Sequence, residues 1–141
     1  MIVYLDTSAL VPILIAEPST AKCRLVWSSA DHRVTSRLAF VETAAALAAA
    51  RRQSRISEDE HAEAWANFVG MWSELNVVEV SEALATDAAN LASSLALRGY
   101  DAMHCASAVK LQAADLVAAA GDAQLLAAWQ ASGIAVIDIN Q

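Results

Sequence analysis

Four acidic side chains stand where a carboxylate could do chemistry: Asp6, Glu42, Asp101 and Asp122. Asp6 closes the apolar run Ile2 to Leu5, Asp122 follows the run Leu116 to Ala119 by a few residues, and Asp101 opens the helical segment leading into that second run. Each aspartate alone has a plainer role, because Asp is a favoured N-cap whose carboxylate accepts backbone N–H bonds at the positive end of a helix. Glu42 is different. It lies in Leu38 to Leu47, a segment with no other charge, and Leu38, Ala39, Ala45 and Ala46 on its own helix face offer it no cation. A carboxylate there needs partial exposure, an arginine from another element (Arg37 and Arg98 are the candidates), or a metal-binding or catalytic role.

Carboxylates gathered at one cleft repel one another, and a raised pKa or a bound cation relieves them. All-oxygen donors suit Mg²⁺ or Mn²⁺, and such an ion acidifies a water and stabilises charge on a phosphodiester in transit. The chemistry that suits the set is therefore hydrolysis of a phosphodiester.

These residues need elements to position them. Residues 2 to 5 read as a buried strand. A helix follows through Leu10 and Leu14, interrupted by Pro12 and ended at Glu17-Pro18, then a helix over Ser19 to Ser29 and a brief strand at Val34-Thr35. Arg37 to Arg52 is rich in strong helix formers, with Ser36 placed to cap it. Ser57 and Glu60 form a capping box for a helix carrying Trp65, Phe68, Val69 and Trp72 at core spacing. Val77 to Val80 reads as a strand, Glu82 to Leu97 as a helix ended near Gly99, Asp101 to Ala113 as a helix, and Leu116 to Ala119 as a strand. Asp122 to Ala131 is the last helix and Ile134 to Ile137 the last strand.

Strands alternating with helices predict a single α/β domain over residues 1 to 141, with a central parallel sheet of about four to five strands and helices on both faces. Ligands in such sheets lie beyond the carboxyl ends of the strands, which is where these acids fall.

Composition narrows the class. Of 141 residues 57% are hydrophobic and the formal charge is −7, which excludes a disordered chain and a broad basic nucleic-acid surface. Acids break every long apolar stretch, so no membrane span is expected. The opening run lacks a basic n-region and contains Asp6, and Cys23 and Cys105 have no CxxC spacing; both suit a cytoplasmic protein with reduced thiols.

Four stretches resemble one family: Leu5-Asp6-Thr7-Ser8-Ala9-Leu10, Phe40-Val41-Glu42, Arg98-Gly99-Tyr100-Asp101-Ala102-Met103-His104, and Asp122-Ala123-Gln124-Leu125-Leu126 before the final Gly-Ile-Ala-Val-Ile run. In order and spacing they resemble the PIN-domain ribonucleases, and within them the VapC toxins of bacterial toxin-antitoxin pairs. The resemblance covers essentially the whole chain. It implies a Mg²⁺- or Mn²⁺-dependent endoribonuclease with Asp6, Glu42, Asp101 and Asp122 as its acidic quartet and Asp6, Asp101 and Asp122 as metal ligands. Thr7 or Ser8 would support the metal or its water, and a cognate VapB-type antitoxin would occlude the groove. One departure is Ala120, where the family often has Thr or Ser two residues before its fourth acid.

For an RNA substrate, Arg37, Arg98 and Arg51 are the candidate phosphate contacts, although Arg51 and Arg52 also complement a helix C-terminus. His104, three residues beyond Asp101, reads as a partly buried packing residue rather than as a proton carrier. A phosphoacceptor receiver would carry an acidic pair before its Asp and a lysine near its last strand, and a dehalogenase-type phosphatase would have Asp where this chain has Ser8. The alternative from another class is a non-catalytic binding module, a homodimer or antitoxin groove built on the Trp65 and Trp72 helix and the Ala44 to Ala50 face.

Overall fold

The computed structural model describes residues 1–111 and 113–141. Five strands form one sheet: β1 (Ile2–Leu5), β2 (His32–Ser36), β3 (Asn76–Val78), β4 (Leu116–Ala120) and β5 (Ala135–Asp138). Their order is β3-β2-β1-β4-β5, with every pairing parallel. Ile2 pairs with His32 on one side and Leu116 on the other, so β1 is the central strand.

Seven helices join them: α1 (Thr7–Leu14), α2 (Thr20–Ser29), α3 (Leu38–Arg52), α4 (Glu58–Trp72), α5 (Glu82–Leu95), α6 (Gly99–Leu111) and α7 (Ala123–Ala131). Successive strand residues face opposite sides of a sheet. Accordingly Tyr4, Val34, Ala118 and Ala120 meet Leu84, Cys105, Leu125 and Trp129 in one core, while Val3, Leu5 and Ala119 meet Leu10, Cys23 and Ala39 in the other. Helices thus cover both faces, as expected.

Local chemistry accounts for the helix starts. The Asp6 carboxylate caps α1, the Ser57 and Glu60 box caps α4, Ser81 caps α5 through Leu84 N, and Asp122 caps α7 through Gln124 N and Leu125 N. Ser36 Oγ accepts from Leu38 N at 3.1 Å from one position before the N-cap of α3, which is Arg37 rather than the expected Ser36.

Several boundaries differ from the sequence expectation, among them those of β2, which spans His32–Ser36, and β5, which spans Ala135–Asp138. Pro12 lies inside α1 without ending it: a proline removes one N–H, and the helix still closes with Ile15 N donating to Val11 O. α5 stops at a left-handed Ala96 (φ 53°, ψ 45°) rather than near Gly99. Gly99 instead opens α6, which therefore starts before Asp101. The expected end of α6 at Ala113 runs past Gln112, which lies outside the described residues. β3 covers Asn76 to Val78, since Val78 O accepts from Arg37 N and Val80 is exposed beyond it.

Among the described residues no helix is long and apolar enough to cross a membrane. Trp65 and Trp72 face inward: both stack on Phe40 and Phe68, at centroid separations of 5.1 to 5.7 Å. Both rings are half-buried and pack within the domain.

Candidate active site

All five strands run the same way, so their carboxyl ends share one edge, and the chain reverses direction across the sheet on either side of β1 there. A cleft forms at such a switch point. Asp6 enters it directly from β1. Glu42 lies one turn into α3, which starts after β2. Asp101 sits in the first turn of α6 and Asp122 follows β4.

Asp6 is nearly buried and held on one oxygen: Oδ2 accepts from Ser8 N at 3.1 Å and from Ser8 Oγ at 2.5 Å. Ser8 Oγ in turn accepts from Gly121 N at 2.9 Å, which ties the end of β1 to the end of β4. A Cβ at residue 121 would come within 3.2 Å of Asn140 Nδ2 and Ile139 Cδ1, so glycine permits this close approach.

Glu42 Oε1 accepts two bonds, from Thr7 Oγ1 at 2.9 Å and from His104 Nε2 at 2.6 Å. Among the described residues Oε2 has no hydrogen-bond partner. Burial alone would raise the pKa of this carboxyl, but the bond from His104, its charge and the bond from Thr7 prevail and hold it below the ordinary glutamate value. His104 is shifted the other way. Burial opposes its protonation, yet the Glu42 bond and the charges of Asp6, Glu42 and Asp101 raise its pKa.

His104 is 1% exposed, with Nδ1 2.7 Å from Tyr4 Oη and Nε2 3.4 Å from Asp6 Oδ1. This corrects the expectation of a packing histidine: both ring nitrogens are engaged by polar groups. Its spacing from Asp101 was the sole local signal, and its partners lie 62 and 100 positions away in sequence.

The second pair of acids shares a guanidinium. Arg98 Nε lies 3.3 Å from Asp101 Oδ2, and Arg98 Nη2 lies 3.5 Å from Asp122 Oδ2. Asp101 is 16% exposed, and its pKa is raised, by burial first and then by the charge of Asp122, with Asp6 adding to it; Arg98 pulls the other way. Asp122 Oδ1 is occupied by Gln124 N and Leu125 N, which leaves Oδ2 toward Arg98. Each pair of acids therefore has a basic side chain of this chain between its members.

The expected arginine partner of Glu42 is absent among the described residues. Arg37 is ion-paired with Glu79 and stacks over Trp72, whereas Arg98 serves the two aspartates. Arg51, at the far end of α3, lies 3.8 Å from Glu58 and about 13 Å along the helix from Glu42. Arg98 is thus the candidate cation at the cleft itself. It lines a groove of about 590 Å³ with Leu38, Glu42, Tyr100, Asp101 and Met103. Tyr100 stands 66% exposed on its rim.

Whether this donor set suits a divalent cation is a question of chemistry and charge. Among the described residues no three His, Cys, Asp or Glu side chains already form a ligand cluster. The donors are nevertheless oxygens alone, Asp101 is made harder to ionise by burial first and then by the charges of Asp122 and Asp6, and a cation would relieve that repulsion. The residues fit a hard divalent ion.

Comparison with known proteins adds to this geometry. The PIN domain family matches residues 3–128. Ribonuclease VapC45 of Mycobacterium tuberculosis is 37% identical over 135 residues, covering 96% of this chain and 94% of its own. Among solved structures, PAE2754 from Pyrobaculum aerophilum superposes with a TM-score of 0.69 at 20% identity, covering 97% of this chain and 88% of the other. A toxin-antitoxin complex from Klebsiella pneumoniae superposes at 0.68 and 14%, covering 97% of both chains. At those identities the two structures speak to fold.

Proposed function

The chain belongs to the PIN-domain family, and from that premise we propose that it is a Mg²⁺- or Mn²⁺-dependent endoribonuclease, the VapC-type toxin of a toxin-antitoxin pair. The observation that supports this reading is that Asp6, Glu42, Asp101 and Asp122 all fall at the carboxyl edge of the sheet, with the pKa of Asp101 raised by burial first and then by the charges of Asp122 and Asp6. The identity to a mycobacterial ribonuclease over nearly the whole chain supports it.

In this reading Asp6, Asp101 and Asp122 hold the ion. When bound, it supplies charge stabilisation at the phosphate and an acidified water. The protein supplies the rest. Glu42, kept ionised by His104 and Thr7, offers Oε2 as a proton acceptor or as an anchor for the attacking water. Ser8 fixes the Asp6 rotamer, and Thr7 fixes Glu42. Arg98, 77% exposed and paired with Asp101 and Asp122, would supply a guanidinium for a phosphate of a strand lying in the groove, while the aspartates would hold the cation. Arg37 and Arg51 are further phosphate contacts along the same chain.

The partners of this reading are RNA, a VapB-type antitoxin and a second copy of the chain. Val41 and Ala45 are exposed one turn apart on α3 beside Glu42, and Tyr100 is exposed beside Asp101. An antitoxin segment laid on these apolar surfaces would close the groove.

The test is cleavage of a fluorescent RNA by the full chain with Mg²⁺ or Mn²⁺. Asp6→Asn and Asp101→Asn are expected to abolish cleavage and divalent-ion binding by calorimetry while leaving the fold intact. An unchanged rate in either variant overturns the site. Absence of both ion binding and cleavage in the wild type overturns the function.

A further inference from the structure

We infer that Tyr4 and His104 form a positioning pair that orients the Glu42 and Asp6 carboxylates, an inference that rests on the nuclease reading for its catalytic consequence but not for its geometry. The pair reaches the cleft from underneath. Tyr4 lies two residues before Asp6 on β1, hence on the same side of the sheet, and His104 is close to one helical turn beyond Asp101 on α6. Both side chains are fully buried.

The tautomer follows from the neighbours. Nε2 faces Glu42 Oε1 at 2.6 Å and Asp6 Oδ1 at 3.4 Å, both acceptors, so Nε2 carries a proton. The tautomer protonated on Nδ1 alone would set a ring lone pair against two carboxylates. Nδ1 faces the Tyr4 hydroxyl at 2.7 Å; it accepts the phenol hydrogen when the ring is neutral and donates to Oη when the ring is protonated. In either form an Nε2–H donates to Glu42, and Tyr4, His104 and Glu42 make one hydrogen-bonded chain from the core to the site.

The consequence is orientation. Glu42 Oε1 is fixed by donors on two separate elements, α1 and α6, so the carboxylate plane is set and Oε2 is the oxygen left for chemistry. His104 is too deeply buried to meet a substrate, and it acts through the carboxylates it holds. Tyr4 is itself braced by Trp129, whose ring stands 5.7 Å away and 72° from its plane. Its hydroxyl can therefore be deleted while the ring keeps its place.

The experiment combines kinetics with nitrogen NMR of the histidine ring in the full-length protein. In Mn²⁺-dependent cleavage of an RNA oligonucleotide, His104→Ala is expected to lower kcat about tenfold or more with KM nearly unchanged, the range known for residues that support catalytic ligands. His104→Gln, which keeps an amide donor, should recover part of the loss. Tyr4→Phe should lower kcat less, and adding it to His104→Ala should cost nothing further, because the two act in series. NMR should show a proton on Nε2 of His104 and a shift of Nδ1 in Tyr4→Phe. Wild-type kcat in His104→Ala, full additivity of the two substitutions, or a proton on Nδ1 alone each overturns the proposal. If His104→Ala fails to fold, Tyr4→Phe and His104→Gln decide it. If the wild type cleaves no RNA, the nuclease reading falls while the NMR result still decides the pair.

Discussion

Replacing Ser8 by alanine should cost far more than an ordinary surface serine. Its hydroxyl makes two bonds at once: it donates to the nearly buried Asp6 carboxylate and accepts from Gly121 N. A hydrogen bond to a charged group contributes about 1.5–3 kcal/mol, and a half-buried N–H left without a partner costs about 1–3 kcal/mol more. Asp6 keeps its bond from Ser8 N, which offsets part of the loss. A destabilisation of about 3 kcal/mol results. For a chain of 141 residues that lowers Tm by roughly 10 °C, from an unfolding entropy of about 2.1 cal/mol/K per residue. Thr7→Ala is the control. Glu42 retains His104 when Thr7 is cut, so about 1 kcal/mol and roughly 3 °C are expected. Urea and thermal unfolding of the two variants side by side make the measurement. If Ser8→Ala unfolds no earlier than Thr7→Ala, Ser8 does not tie β1 to β4 and the reasoning fails.

Two further outcomes follow from the same structure. Ala96→Gly should stabilise the chain by about 0.5–1 kcal/mol, because Ala96 is held at φ 53°, a region that costs an L-residue about 1–2 kcal/mol and that glycine enters freely; a urea midpoint at or below wild type contradicts this. Stability should also depend on pH through the Glu42 and His104 pair. The raised His104 contribution is complete below that group's ordinary pKa of 6.5 and is lost as pH rises through the folded value, whereas the lowered Glu42 contribution holds above 4.5 and is lost as pH falls through its folded value. His104→Asn should flatten both limbs of the urea midpoint plotted against pH, and an unaltered profile would show that the pair does not set it.

The strands and most helix starts were legible because their causes are local. Ser57 and Glu60 announce α4 by a contact three residues long, and the run Ile2 to Leu5 ends at Asp6 where β1 ends. The α5 to α6 boundary was not legible, since a left-handed alanine at 96 carries no compositional mark and Gly99 drew the ending to itself. The positions of the acids could be read as well, because strand ends and helix starts fix which edge they occupy. Their partners could not. His104 looked like a packing residue because the side chains that hold it, Tyr4 and Glu42, come from two other elements. The charge excess followed the same course. With the four proposed site acids of the sixteen set aside, the rest of the chain carries −3 rather than −7.

The central place of β1 sets the order of events during synthesis. Ile2 is synthesised before either of its partners, yet it pairs with both His32 and Leu116, and the second follows long after the first. Pairings so distant in sequence form late, after the loop between them has been closed. Asp6 and Glu42 are therefore out long before Asp101 and Asp122, and Gly121, whose N–H donates to Ser8, comes with the last of them. A nascent chain carries half a cleft. A protein that cuts RNA would in this way stay inert beside the messenger and ribosome producing it, becoming competent only after its fourth strand slots in beside the first.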